Sequence, residues 1–366
     1  KSLITRQKIA DKLAFLQLIF SLIPKEKGGI TNDYVRASLT AGFECVNYDS
    51  EFEFQVKANE LNHILEKMVE KAKKIFPPKT DIHVIGSEFN KYLKDNKEYF
   101  SFGIEYGWLE KYLDCSNVWD DKYPYHARVG TNHHASRISV EEQFLLRDAF
   151  YFYVLAENEL NKLLKIGTYL KFSPDKEISS KVYPDASIIN LNTCSFARTT
   201  ILQLYSFFET FVNSISYDFL KQNEETLTEN EKEILIGKSK RSFLSLEKKI
   251  EKSHQIIRGI DKPTLKTIDR NQLIEPFKTI LSEHKDLRDS SVHYNPTKEK
   301  IWIRPTEWVE RMTKYAEAIL DGSRLYWKAC SDEDYPFYLD ELDFEHLKET
   351  SLERIKRTEE IKNNYT

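Results

Sequence analysis

The sequence predicts a mainly α-helical protein, with a mostly helical N-terminal region followed by a C-terminal helical bundle. Three observations lead there. Gly and Pro number only 11 each in 366 residues, so few positions interrupt a helix. Long charged side chains are abundant, with 31% of residues charged. Apolar residues recur at three- and four-residue intervals over several long stretches. The length exceeds the usual size of one domain, so two domains, or one with large extensions, are expected.

The most apolar run is "KLAFLQLIFSLIP", which opens on Lys12 and is preceded by Lys1, Arg6 and Lys8. At about a dozen residues it is too short to span a bilayer. No small-residue cleavage site follows it, which argues against a signal peptide. A buried helix ending at Pro24 is expected instead. The chain opens on Lys rather than Met, so its natural N-terminus is expected upstream.

"FQVKANELNHILEKMVEKAKKIF" places Leu61, Ile64, Leu65, Met68 and Ala72 on one stripe of an amphipathic helix that Pro77 and Pro78 stop. "TDIHVIGSEF" and "YFSFGIEYGWLEKYL" are short runs compatible with strands or helix starts. Asp114 to Arg137, rich in Asn, Asp, Pro, Gly and His, reads as a long loop. A long helix follows from Ser139, which with Glu142 three residues on forms a capping-box pattern.

Phe172 to Asn192 carries two prolines and several turn formers, and a domain boundary is expected there. The expected parts are therefore residues 1–190, a bundle over 191–330, and a tail over 331–366. The bundle is the best-patterned part of the chain. Ile201, Leu204, Tyr205, Phe208, Phe211, Val212, Ile215 and Phe219 give its first helix a wide apolar face. "RSFLSLEKKIEKSHQII", "NQLIEPFKTILSEHKDLRDSSVHY" and "TEWVERMTKYAEAILDGSRLYWKA" supply three more helices.

A net charge of -4 creates no global field for nucleic acid or membrane, so partners must be read from local patches. The cysteines Cys45, Cys115, Cys194 and Cys330 lack metal-like spacing and fit reduced core thiols of a cytoplasmic protein. His126, His133 and His134 lack a carboxylate at a known ligand spacing, so no metal site and no cofactor are expected.

"LRDSSVHYNP" holds the candidate chemistry, with Arg288 and His293 five residues apart near a helix end marked by Asn295-Pro296. On a regular helix five residues turn through about 140° and rise about 7.5 Å, so one straight helix does not aim both side chains at one point. A distorted last turn, or a two-fold pairing of two such helices, brings them together. A neutral His accepting a ribose 2′-OH proton and an Arg binding the phosphate suit cleavage of RNA without metal. The bare spacing also occurs in "RVGTNHH", from Arg128 to His133, so spacing alone is weak. An Arg on a helix is ordinarily a solvated residue, and a C-terminal His is often a cap.

Residues from about Asn192 to Ala329 resemble a HEPN domain, the helical-bundle family of ribonucleases in toxin–antitoxin, abortive-infection and RNA-guided defence systems. "ARTTILQLYSFFETFVN", with Glu209 amid aromatics and Asn213 just after, resembles the family's opening helix. "SFLSLEKKIE" resembles its second, and "KDLRDSSVHYNP" matches its R-x4–6-H signature. The resemblance implies that Arg288 and His293 are catalytic, with Asp289 as the supporting polar residue. It also implies a homodimeric cleft, products ending in 2′,3′-cyclic phosphate and 5′-OH, and an antitoxin or other partner from an antiviral defence complex. In toxins silenced by a nucleotidyltransferase, a Tyr lies two residues after the His. Here Tyr294 follows at once and Asn295 takes that place, so Tyr294 is expected to stack or pack instead.

Between Ile236 and Arg270 lie ten Lys/Arg against four Asp/Glu. Lys248, Lys249 and Lys252 are the expected RNA contacts there, against the ordinary alternative of a solvated face. The acidic, aromatic segment Asp332–Glu345 is complementary to this surface and is a candidate inhibitory cover. The rival to a metal-independent endoribonuclease is a non-catalytic scaffold or dimerising RNA-binding module.

Overall fold

The computed structural model describes residues 5–23, 28–30, 32–95, 104–115, 130–132, 137–139, 141–172, 176–239, 242–259, 273–293, 303–332 and 342–365. The chain is mainly helical and divides into two compact units, Lys1–Val140 and Glu141–Thr366. Among the described residues no helix is long and apolar enough to cross a membrane.

In the first unit α1 (Arg6–Leu22) starts at Thr5, whose side chain accepts from the Lys8 N–H. Leu13, Phe15, Leu16, Leu18, Ile19 and Phe20 are all buried, so this helix is apolar around most of its circumference. Around it stand α2 (Asp33–Val46), α3 (Glu51–Ile75) and α4 (Ile82–Asp95). On α3 the expected stripe holds: Leu61, Leu65, Met68 and Ala72 are buried and Ile64 is half-buried. The ambiguous run "DIHVIGSEF" resolves as α4. At Gly86 the α4 backbone meets α1 so closely that a Cβ would stand 2.6 Å from the Asp11 carbonyl carbon and closer still to its oxygen. The second ambiguous run forms β1 (Ile104–Glu105) and then α5 (Tyr106–Tyr112). β1 pairs with β2 (Gly130–Asn132), which pairs with β3 (Arg137–Ser139), all antiparallel.

The second unit is built on two long helices, α6 (Glu141–Phe172) and α7 (Lys176–Gln222). Ser214 reaches the Glu142 carboxylate at 3.4 Å and Asn192 reaches Glu159 at 3.5 Å, so the two run antiparallel. Ser139, expected to cap α6, lies in β3, and Glu142 is buried against α7. The expected boundary segment also differs. From Lys176 onward it is part of α7, with Pro184 inside the helix, and the division into units falls at Val140. Pairing with α6 outweighs the loop-favouring composition, in which Val182 and Ile189 are half-buried while Tyr183, Ile188 and Leu191 are exposed.

A short α8 (Glu229–Leu235) opens with a capping box between Thr228 and Glu231. The hairpin β4 (Lys238–Ser239) and β5 (Ser242–Phe243) leads to α9 (Leu246–Arg258). A π-helical turn, Thr279–His284, runs without a cap into α10 (Lys285–Val292). Helix α11 (Pro305–Cys330), with Pro at its first position, and α12 (Phe344–Tyr365) complete the unit.

The core gathers Tyr153, Val154 and Ala156 of α6, Ala197 and Ile201 of α7, Leu287 of α10, and Trp308, Met312 and Tyr315 of α11. Each large side chain buried this way contributes about 1.5–3 kcal/mol. Leu287 anchors α10 from within, which fixes the face on which its neighbour Arg288 emerges.

Candidate active site

Helix α10 enters the site already oriented by the residue before it. His284 closes the π-helical turn with its ring fully buried, stacked on Tyr315 at 4.6 Å between centroids and edge-on to Tyr205 at 5.4 Å. Its Nε2 donates to the Ile201 carbonyl at 2.8 Å, and its buried Nδ1 has no partner among the described residues. Burial lowers its pKa from 6.5 to about 4, the Ile201 carbonyl opposes that shift, and the nearby Arg288 charge adds to it. The ring is therefore a neutral spacer that sets Tyr205.

Tyr205, Glu209 and Asn213 follow at four-residue intervals on α7 and share one side of it. Over Tyr205 stands the Arg288 guanidinium, its carbon 5.0 Å from the ring centroid. Arg288 Nη1 donates to Asp289 at 2.9 Å, and Nη2 lies 4.0 Å from Glu209. Lys285 holds the other Asp289 oxygen at 2.8 Å. The Arg288 side chain remains 31% exposed, and among the described residues the Asp289 bond is its one hydrogen bond. An Arg carries five N–H donors, and this bond engages one of them.

At its far end α10 stops at His293, whose N–H bonds the Asp289 carbonyl at 2.8 Å while its own backbone turns extended (φ -124, ψ 102). The imidazole is exposed and has left the helical spiral. The helix thus ends regularly at Val292, and His293 is the first residue outside it. Arg288 and His293 make no hydrogen bond to each other.

Helix α9 adds the lysines. Lys248 is exposed and Lys252 half-buried, while Lys249, about 100° round from Lys248, is buried. Its ammonium donates to Asn213. Burial lowers its pKa, and the Glu209 charge opposes that shift. Lys249 therefore belongs to the interior of the cluster rather than to a free surface. Tyr294, His126, His133 and His134 lie outside the described residues. So does most of the acidic tail, but its first residue, Asp332, pairs with Arg258 at the end of α9 at 2.7 Å. Among the described residues no group of three or more His, Cys, Asp or Glu is placed to hold a metal ion.

Spacing pointed to Arg288 and His293 and the family resemblance added Asp289; the structure joins Arg288 and Asp289 directly. Tyr205, His284 and the inward turn of Lys249 were missed as parts of the site. For His284 a signal existed, since it stands four residues before Arg288 in "SEHKDLRD" and so on a neighbouring face. No family model, curated protein or solved structure matches this chain.

Proposed function

We propose that the second unit is a HEPN-type, metal-independent endoribonuclease, serving as a defence or toxin effector and active as a homodimer. The observation that carries this reading is the state of Arg288. It is oriented by Asp289 and Tyr205 and is partly exposed, and its bond to Asp289 engages one of its five N–H donors. A guanidinium held in this way is pre-organised for the paired oxygens of a phosphate.

In this reading the neutral His293 imidazole accepts the proton of a ribose 2′-OH. The resulting alkoxide attacks the adjacent phosphorus, and Arg288 steadies the added charge on the phosphoryl oxygens. The bond to the 5′-oxygen breaks, and that oxygen takes a proton from an imidazolium or from water. The products are a 2′,3′-cyclic phosphate and a 5′-OH. A two-fold pairing of α10 helices supplies a second His293 for the last step.

The rival reading, a non-catalytic scaffold or RNA-binding module, draws on the Arg288–Asp289 bond, which is also an ordinary structural ion pair. Purified protein incubated with total RNA in EDTA, beside Arg288→Ala and His293→Ala, separates the two. Cleavage that persists in chelator, ends in cyclic phosphate and disappears in both variants is expected. Cleavage unchanged in either variant overturns the catalytic assignment, and folded wild-type dimer that leaves RNA intact favours the scaffold.

A further inference from the structure

Phe243 is the most exposed large apolar side chain among the described residues, at 82%. It stands in the hairpin directly opposite Lys238, so the two side chains leave the same face of the ladder. A Phe ring left in water gives up the roughly 1.5–3 kcal/mol that burial would contribute, so the fold itself does not account for it.

The hairpin is tied to the Arg288 cluster by a chain of short contacts. The Leu244 N–H bonds the Gly237 carbonyl at 2.8 Å and closes the hairpin base. Gly237 has φ +77, and a Cβ there would lie 2.8 Å from the Lys249 ammonium. Lys249 in turn donates to Asn213 and feels the charge of Glu209, which is 4.0 Å from Arg288. Two residues after Phe243, Ser245 caps α9, which carries the exposed Lys248.

We propose that Phe243 is a nucleobase-stacking residue, seating single-stranded RNA beside the Arg288 site with Lys238 and Lys248 on its backbone phosphates. The proposal rests on RNA being the substrate of that site. Charge selects this occupant: the stretch "KSKRSF" and the lysines of α9 form a basic segment in a chain of net charge -4, matching a polyanion. An exposed ring among lysines offers what an unpaired strand requires, a flat apolar face for one base and cations for its phosphates. Stacking on it is indifferent to base identity because every base has a π-face.

The test is anisotropy of a labelled 2′-O-methyl single-stranded RNA, which lacks the attacking hydroxyl, with the full chain and its Phe243→Ala, Phe243→Leu, Phe243→Trp and Lys238→Ala variants. Loss of about tenfold in Kd is expected for Ala and Leu, with near wild-type binding for Trp. Lys238→Ala should lower the salt dependence of binding, which Phe243→Ala leaves unchanged. Equal affinity across the Phe243 series, Leu binding as well as Trp, or no RNA binding by folded wild type overturns the proposal. Because Phe243 is exposed, these variants keep the fold, which circular dichroism checks. Cleavage of the 2′-hydroxyl version separates the two claims. Arg288-dependent cleavage with Phe243 neutral overturns stacking alone, whereas Phe243-dependent binding without cleavage overturns the catalytic reading alone.

Discussion

The guanidinium carbon of Arg288 stands 5.0 Å from the centre of the Tyr205 ring, and the same ring meets His284 edge-on at 5.4 Å. Tyr205 is thus a shared platform that meets a neutral imidazole and carries the candidate phosphate ligand. Its hydroxyl is held protonated by burial, reinforced by Glu209, so it brings no charge of its own.

The platform is aromatic, so Tyr205→Phe should keep the cation–π contact and nearly wild-type cleavage, whereas Tyr205→Leu should lose about 3- to 30-fold. Single-turnover cleavage of a short RNA gives both values. Equal losses in Phe and Leu would place the effect on the hydroxyl instead.

Arg288→Lys should fail almost as fully as Arg288→Ala. A lysine supplies a point charge but no fork to bridge Asp289 and a phosphate together. Cleavage by the Lys variant above about a tenth of wild type would mean that charge alone suffices.

His284 gives stability a pH dependence. The unfolded chain takes up a proton near pH 6.5 that the folded chain refuses until about pH 4. Its contribution is complete above about pH 6.5 and is lost as pH falls towards 4, by roughly 2–3 kcal/mol at pH 4.5. Urea denaturation of wild type and His284→Phe at pH 7.5 and 4.5 should show a smaller loss in the variant, which retains a ring between Tyr205 and Tyr315. Parallel losses would refute it.

Gly86→Ala should destabilise the first unit by about 2–3 kcal/mol or more, because the added Cβ meets the Asp11 backbone, which cannot swing aside. Gly167→Ala in α6, with nothing within 4 Å, should stabilise by about 0.5–1 kcal/mol. Calorimetric scans of the two variants should move in opposite directions.

What the sequence made legible is uneven in a physically sensible way. Apolar spacing located α3, α7 and α11, since a buried stripe repeats at the helical period whatever its neighbours are. Arg288 was legible from its spacing to His293 and from the family resemblance, which also named Asp289, and the buried Leu287 just before them fixes the side of α10 on which Arg288 emerges. The helical run through Pro184 was not legible, because it depends on pairing with α6 rather than on local propensity. Nor was the inward turn of Lys249. Lys248 and Lys249 are identical in type, and only the position of Asn213 on another helix distinguishes them. The π-helical turn leaves no local signature, since its stacked ring is a tertiary contact.

That turn gives α10 a phase as well as a position. A π-helical turn takes one residue more than the α-helix around it, and each residue rotates a helix by about 100°. Deleting a single residue within Thr279–His284 would straighten the segment into ordinary α-helix and swing Arg288 about 100° away from Tyr205. Leu287 would leave the core in the same movement. The spacing of Arg288 to His293 would be untouched on paper, and the site would be gone. In chains related to this one, a one-residue gap between Pro276, three residues before the π-helical turn, and Arg288 is therefore the change to look for, ahead of any substitution in the pair itself.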